Sequence, residues 1–213
     1  MRLYLSSFRM GNQPQELLPL VYGGRRVAVI ANAVDGSDQH TREESVALDV
    51  SNLSKLGLNA EEVDLRHYFG RSQQLAQTLT QFNLLWVRGG NTFVLRRAFK
   101  LSGFDELLKQ LLSEDAVAYG GYSAGVCILC PSLHGIELVD DPLYVPGGYE
   151  ADILWEGLGV LPYMVAPHYR SNHPESAATE QTVQYFIDQH ILFKALRDGE
   201  AIVVNGTQEN VVS

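Results

Sequence analysis

The sequence G-x-S-x-G at 121–125 constrains the fold more than any other stretch, because of the segments on either side of it. An apolar run at 116–119 precedes it and is typical of a buried strand, whereas the apolar run at 126–130 that follows is typical of a helix. A serine in such a turn stands exposed at the start of a helix, where negative charge is favoured. This setting predicts that Ser123 is a nucleophile. The alternative is an ordinary turn in which Ser123 caps the helix.

The rest of the chain alternates short apolar runs with amphipathic stretches, which predicts an α/β fold with a mostly parallel sheet flanked by helices. Further strands are predicted at 2–5, 26–31, 60–64, 84–87, 159–165, 193–196 and 201–204. Helices are predicted at 41–56, with Thr41 as the cap, and at 73–80, 91–101, 104–112 and 175–189. Between Pro131 and Pro162 the pattern loosens into predicted loops or a hairpin.

The composition excludes several classes of protein. The chain has 213 residues, 46% of them hydrophobic, and no linker or repeat interrupts it, so residues 1–213 are expected to form a single domain. The formal net charge of −9 argues against a nucleic-acid partner. No segment resembles a signal peptide or a membrane span, so we expect no membrane partner and a cytoplasmic location.

The two cysteines, Cys127 and Cys130, have the C-x-x-C spacing. A redox pair is one interpretation of this spacing. The pair lies inside the apolar segment that follows Ser123, so we favour two small side chains one turn apart on a core helix. A zinc site is disfavoured because no second pair of ligands lies at a suitable spacing. We therefore expect no bound metal.

A serine hydroxyl is a weak nucleophile, so it needs a base within hydrogen-bond reach, and the base needs a partner that holds it. His168 directly follows a predicted strand. It is therefore expected at the carboxyl edge of the sheet, where Ser123 is expected too. His173 is the reserve candidate, and His134 also stays open. The remaining histidines have polar neighbours and are expected to be solvated; they are His40, His67 and His190.

The acid that holds the base is expected near another strand end. Asp198 lies in the turn between the last two predicted strands, and Asp140 and Asp141 lie in the loop after the predicted helix that follows Ser123. An aspartate before a glycine is also common as a plain turn residue. All three aspartates stay candidates.

Two backbone N–H groups are needed to stabilise an oxyanion. The amide of Ala124, directly after the serine, is one candidate. The loop at 89–92 offers a second, because glycine lets a backbone come close to a ligand. The alternative for this loop is a plain turn in which Asn91 or Thr92 caps the next helix.

Four segments together resemble the successive motifs of the peptidase E (α-aspartyl dipeptidase) family of serine peptidases. In chain order they read GGNTF at 89–93, GYSAG at 121–125, PHY at 167–169 and ALRDG at 195–199. That family is similar in fold to class I glutamine amidotransferases, with a serine in place of the cysteine. The resemblance therefore implies a flavodoxin-like sandwich, a short peptide as substrate and no cofactor.

The resemblance also implies a role for each matching residue. Ser123 is the nucleophile, His168 is the base, and Gly90 and Ala124 are the oxyanion donors. Around them, the candidate substrate-binding residues are Gly89, Asn91, Arg88, Arg170 and His173.

The chain departs from the family's pattern in two places. Where the family carries a glutamate as the third member of the triad, this chain carries Asp198, and Asp140 or Asp141 match an aspartate also proposed for that role. The dipeptidase proper carries an arginine linked to aspartyl recognition after the histidine, and the corresponding stretch at 173–180 has none. We therefore expect no strict preference for peptides with an N-terminal aspartate.

The sequence as a whole predicts a serine peptidase that hydrolyses short peptides through an acyl-enzyme. Two alternatives stay open. One is a non-catalytic relative that binds a peptide or small molecule, as the shorter Asp198 and the missing arginine suggest. The other is an amide or acyl hydrolase that acts on a non-peptide substrate. The oligomeric state, monomer or homodimer, is also open.

Overall fold

Strands and helices alternate along the chain in the computed structural model, which describes residues 1–213. The strands are β1 (Arg2–Ser6), β2 (Arg26–Ile30), β3 (Asn59–Glu62), β4 (Leu84–Val87), β5 (Ala118–Tyr122), β6 (Met164–Ala166), β7 (Phe193–Ala195), β8 (Ala201–Asn205) and β9 (Gln208–Val212). The helices are α1 (Gln39–Lys55), α2 (Ser72–Leu79), α3 (Thr92–Ser102), α4 (Phe104–Ser113), α5 (Ala124–Cys127) and α6 (Ser176–Asp188). None of these helices combines the length and the apolar character that crossing a bilayer requires.

Seven strands form one sheet in the order β3-β2-β4-β5-β1-β8-β9. The first five in this order pair in parallel, and β8 and β9 add antiparallel pairs at one edge. The strands β6 and β7 form a separate parallel pair. The prediction of a mostly parallel sheet flanked by helices is therefore confirmed.

The two faces of the sheet carry separate hydrophobic clusters. Along β1, Leu3 and Leu5 belong to a cluster of 40 buried residues, whereas Tyr4 belongs to a cluster of 13 on the opposite face. Helices α2 to α6 contribute to the larger cluster, and Leu53 of α1 contributes to the smaller one. Burial on both faces explains why the strands read as continuous apolar runs rather than as alternating ones.

Two helix boundaries differ from the predictions. The cap of α1 is Asp38, whose carboxylate accepts the amide of Thr41 at 3.0 Å, so the prediction of Thr41 as the cap is wrong. The helix after Ser123 is only four residues long. It ends at Cys127, and the chain continues to Cys130 in tighter turns, in which the amides of Leu129 and Cys130 bond to carbonyls three residues back.

The C-terminal segment differs more. The turn at 197–200 does not join a hairpin, because β7 pairs with β6 while β8 pairs with β1. Strand β9, which pairs with β8 across the turn at Gly206 and Thr207, was not predicted because its residues are mostly polar. Polar residues are tolerated there, since β9 is an exposed edge strand.

Gly125 tests how closely α5 packs on the sheet. A Cβ at this position would lie 2.3 Å from the carbonyl oxygen of Val87 at the end of β4, so the backbones themselves would have to separate. We expect Gly125→Ala to lower the free energy of unfolding by about 1–3 kcal/mol or more in chemical denaturation. The matched control is Gly147→Ala, where a Cβ meets nothing within 4 Å and a change within about 0.5 kcal/mol is expected. Equal stabilities of the two variants would contradict this packing.

Candidate active site

Ser123 lies at the carboxyl end of β5 in a strained turn. Its backbone has φ of 50° and ψ of −115°, in the region that residues other than glycine rarely adopt. Such a conformation costs about 1–3 kcal/mol and persists only where the surrounding structure imposes it. Here the following turn does so, because the carbonyl of Ser123 accepts the amides of Val126 and Cys127 at 2.8 and 3.0 Å. The predicted strand, turn and helix are thus present around this serine.

His168 follows β6 and is paired with Asp198. Its ring Nδ1 lies 2.7 Å from Oδ1 of the carboxylate, and its side chain is buried, whereas that of Asp198 is 21% exposed. The turn between β7 and β8 positions Asp198, where the hydroxyl of Ser171 also accepts its backbone amide at 2.8 Å. Of the three candidate aspartates, the structure brings Asp198 against the histidine ring.

Ser7, directly after β1, joins the two members of this pair. Its hydroxyl donates to Oδ1 of Asp198 at 2.9 Å and accepts the backbone amide of His168 at 2.8 Å. Ser7 is fully buried, and His168 itself has a strained backbone with φ of 62°. One hydroxyl therefore holds the backbone of the histidine and the side chain of the aspartate together.

The environment of His168 favours the neutral ring. Burial lowers the pKa of His168, and proximity to His173 adds to this effect, while Asp198 opposes it. The rings of His168 and His173 are stacked, with centroids 3.7 Å apart, and Phe8 packs edge-on against both. A neutral imidazole that donates from Nδ1 to Asp198 has a free lone pair on Nε2, as a general base requires.

Ser123 and His168 line the same open cleft, which has a volume of about 200 Å³. Their side chains do not hydrogen-bond to each other in this structure. The nearest charged atom to His168 Nε2 is instead a carboxylate oxygen of Glu175, at 3.7 Å. Catalytic hydrogen bonds are often long before substrate binds, so this arrangement fits a serine and base that await a ligand.

Backbone amides of two segments flank Ser123. Ala124 is the first residue of α5, where an amide has no partner inside the helix. Gly89 and Gly90 line the cleft on the other side. Gly90 has φ of 142°, and a Cβ there would lie 2.6 Å from the carbonyl oxygen of Ala33, so only glycine fits. Asn91 caps α3 by accepting the amide of Val94, as the alternative interpretation of this loop predicted.

Three arginines are the candidate cations of the site, and they differ in their position and in their carboxylate partners. Arg88 lines the cleft, but its Nη1 is bound to the buried carboxylate of Asp49 at 2.8 Å. Burial raises the pKa of Asp49 despite this pairing. Arg170 is exposed and does not line the cleft. Arg9, which the sequence reasoning missed, lines the cleft and has no carboxylate partner within ion-pair distance.

The other candidate acids lie elsewhere in the site. Asp140 accepts the amide of Thr92, at the start of α3, at 2.8 Å. Asp141 is exposed, accepts the amide of Leu143 and uses its carbonyl to accept the side chain of Asn91. Neither carboxylate hydrogen-bonds to His168.

Three residues of the site were missed at the sequence level besides Arg9. Ser7 and Phe8 come from the loop after β1, and Glu175 comes from the turn before α6. The only sequence signal for the first two was their position after a predicted central strand, since parallel strands end at one edge.

The remaining histidines and the two cysteines do not form a second functional site. His134 is exposed and stacks on Trp155, and His40, His67 and His190 are exposed as expected. Both cysteine thiols are buried and free. Burial raises the pKa of Cys130 to about 12 and raises that of Cys127 well above its usual value, which makes both thiols unreactive. The interpretation of the pair as small core side chains is therefore favoured.

A divalent cation is the one kind of cofactor whose ligands could be found here. His168, His173 and Asp198 carry ligand atoms that all lie within 4.8 Å of one another. A cation bound by Nδ1 of His168 would displace the proton that this nitrogen shares with Asp198, so ion binding and the observed pairing exclude each other. The absence of a metal stays a prediction.

Comparisons with known proteins show the family of this chain. The model of the family named Peptidase family S51 matches residues 12–212. Peptidase E of Streptomyces coelicolor is 27% identical over 188 residues, which cover 86% of this chain and 69% of that protein. A probable alpha-aspartyl dipeptidase of Drosophila melanogaster is 27% identical over 135 residues, which cover 61% of this chain and only 53% of that protein.

The fold is also similar to that of a solved structure. A crystal structure of a Listeria monocytogenes protein with a provisional peptidase E name superposes with a TM-score of 0.79, covering 99% of this chain and 97% of that one at 24% identity. At that identity the likeness shows the fold alone. The match to the family model spans most of the chain, so this protein belongs to peptidase family S51 and is a peptidase.

Proposed function

We propose that this peptidase cleaves short peptides through an acyl-enzyme formed on Ser123, with His168 as the base and Asp198 as its partner. The observation that carries the proposal is the 2.7 Å contact between His168 and Asp198 at the sheet edge where Ser123 ends β5. A histidine oriented by a carboxylate near a strained serine that lines an open cleft is the arrangement that serine nucleophiles need.

The chemistry follows from these positions. Ser123 Oγ attacks the carbonyl carbon, and Nε2 of His168 takes the hydroxyl proton. The carbonyl oxygen becomes an oxyanion, which the amides of Ala124 and Gly90 stabilise. The bond to the leaving nitrogen then breaks as His168 returns the proton to that nitrogen. Water, deprotonated by the same histidine, then attacks the ester carbon, and the bond to Ser123 Oγ breaks as His168 returns that proton to the serine oxygen. Asp198 stays ionised and stabilises the imidazolium at each step.

The short side chain of Asp198 is compensated by the structure around it. Ser7 fixes the carboxylate and the histidine backbone with the same hydroxyl, and Ser171 holds the amide of Asp198. An aspartate can therefore reach Nδ1 where relatives of the peptidase E type carry a glutamate. This contact speaks against the alternative of a non-catalytic relative, which the shorter acid had suggested.

A short peptide is the substrate class that fits the site best. The cleft next to Ser123 has a volume of only about 200 Å³, which favours a small substrate. Relatives named Peptidase E and probable alpha-aspartyl dipeptidase support the same substrate class. Asp49 already neutralises Arg88, and Arg170 lies outside the cleft. Arg9, which lines the cleft without a carboxylate partner, is the arginine left to bind an aspartyl side chain. A preference broader than N-terminal aspartate therefore stays a prediction, and Arg9 is the residue on which it depends.

A panel of dipeptides, including Ala-Leu and Asp-Leu, tests the proposal. We expect Ser123→Ala to lower kcat by about 10⁴-fold or more and His168→Ala to be nearly as damaging, because members of a triad act as a unit. His173→Ala is the matched control, since that ring stacks on His168 without reaching Asp198. We expect it to cost less than about tenfold. Equal losses for the two histidines, or activity that survives in Ser123→Ala, would contradict the proposal.

Ser7 gives a second prediction, which concerns pH. The hydroxyl withdraws negative charge from Asp198, so Ser7→Ala leaves more charge to stabilise protonated His168. We expect the pKa of His168 to rise by roughly 0.3–1 unit in an NMR titration, and the acidic limb of kcat/KM to rise with it.

The control for this prediction is Ser6→Ala. The hydroxyl of Ser6 is one residue away and donates to the carbonyl of Phe8 instead. Its removal should leave the pKa of His168 unchanged. If Ser7→Ala and Ser6→Ala give the same pKa, the hydroxyl of Ser7 does not act on the pair.

A further inference from the structure

Asp49 is a buried carboxylate that the proposed mechanism does not use. It lies inside α1 and is only 1% exposed. Ser45 comes four residues before it and Leu53 four residues after it, so the three share one face of the helix. Leu53 belongs to the smaller hydrophobic cluster, so this face packs against the sheet. A charged side chain in such a place is costly unless it is paired and hydrogen-bonded.

The partners of Asp49 lead directly into the two segments that are proposed to act on the substrate. Its Oδ2 accepts Nη1 of Arg88 at 2.8 Å, and the hydroxyl of Tyr122 lies 3.4 Å from each carboxylate oxygen. Arg88 comes two residues before Gly90, which offers one of the proposed oxyanion amides, and Tyr122 directly precedes Ser123. A single carboxylate on α1 is therefore in contact with the residue before each segment.

Several contacts hold Arg88 in place between α1 and the sheet. Its Nη1 also donates to the carbonyl of Ser45 at 3.0 Å, so two acceptors one helical turn apart bind the same nitrogen. Its backbone amide donates to the carbonyl of Ile30, at the end of β2, at 3.0 Å. The guanidinium lies 5.7 Å from the centre of the Tyr122 ring, a distance at which a cation and a ring attract each other. Asp49, Arg88 and Tyr122 thus form one packed unit.

The two segments that follow this unit lie tightly against each other. A Cβ at Gly89 would lie 2.9 Å from Cβ of Ser123 and 3.0 Å from the ring of Tyr122. Ser123 also has a strained backbone, which persists only where the surrounding contacts impose it. Oxyanion donors act over distances of about 2.7–3.1 Å, so a small shift of either segment would weaken their effect. The separation of the two segments therefore has to be held precisely for catalysis.

Packing alone does not require a charged pair at this place. Removing two charges from water is costly, and apolar side chains of similar volume often stabilise a protein equally well or better. Hydrophobic contacts are not directional, however, whereas a hydrogen-bonded carboxylate fixes its partners at one distance and angle. The pair of Asp49 and Arg88 therefore suits a place where relative position matters more than burial.

We propose that Asp49 is a positioning residue that fixes the loop carrying Gly90 relative to Ser123. It acts through the side chains of Arg88 and Tyr122 and touches neither the substrate nor the reacting atoms. The proposal rests on the proposed function, since it assigns this loop to the oxyanion. An oxyanion binds the amides more strongly than the substrate carbonyl does, so correct spacing stabilises mainly the transition state. Loss of Asp49 is therefore expected to lower kcat more than it changes KM.

The kinetic test uses Asp49→Asn, which keeps the size of the side chain but removes its charge. With Ala-Leu as substrate, we expect kcat to fall by roughly tenfold or more and KM to change by less than about threefold, because a misplaced oxyanion donor affects the transition state. The matched control is Asp105→Asn. Asp105 is also buried and accepts Nη1 of Arg96 at 3.1 Å, but neither residue lines the cleft. This control should lose stability and keep the wild-type kcat.

An apolar replacement of the pair separates positioning from stability. Asp49→Leu combined with Arg88→Met removes both charges and fills their space, so the double variant should unfold at a denaturant concentration close to that of the wild type. We expect its kcat to stay lower than that of the wild type by roughly tenfold or more. A kcat that recovers together with the stability would show that Asp49 only stabilises the fold, and it would overturn the proposal.

A measurement without substrate separates this proposal from the catalytic one. Backbone NMR relaxation gives the order parameters of the Gly89 and Gly90 amides in the wild type, in Asp49→Asn and in Asp105→Asn. We expect values near about 0.85 in the wild type and the control, and values below about 0.6 in Asp49→Asn. That result supports the positioning role even if no peptide is cleaved and the proposed function fails. Equal order parameters in all three proteins would overturn the positioning role, while catalysis by Ser123 is judged on its own.

Discussion

The register of β1 in the middle of the sheet determines where Ser123, His168 and Asp198 are brought together. Ser6, at the end of this strand, pairs with Tyr122 on one side and with Ala201 on the other. The first neighbour directly precedes Ser123, and the second begins the strand that follows the turn carrying Asp198. The next residue, Ser7, then lies where its hydroxyl can join His168 to Asp198. A slip of one residue in β1 would turn this hydroxyl to the other face of the sheet.

The carboxylates around the site differ in the groups that they are paired with. The protein carries a formal net charge of −9, yet the carboxylates around the site have different partners. Asp49 is paired with Arg88, and Asp198 is held by Ser7 and His168. Only Asp140 and Glu175 enclose a space without a cation. Ser123 therefore lines both an acidic pocket and the open cleft.

Local patterns predicted the parts of the fold and site that depend on neighbours in the sequence. The strand, turn and helix around Ser123 and the placement of His168 at a strand end are of this kind. Ser7 escaped prediction because its partners lie 161 and 191 residues away in the chain. Asp38 was overlooked as a cap because Thr41 is also a residue type that caps helices. Strand β9 was overlooked because its polar residues do not show the apolar pattern of a buried strand, although Gly206 in the turn before it is typical of a hairpin.

The central claim is that His168 activates Ser123, and a fluorophosphonate reagent tests it most directly. This reagent forms a covalent bond with an activated serine, and peptide mass spectrometry then locates the adduct. The account predicts one adduct, on Ser123, that forms at least about a hundredfold more slowly in His168→Ala and is absent in Ser123→Ala. A protein that hydrolyses peptides but is labelled at another residue, or that is labelled equally fast without His168, would contradict the account.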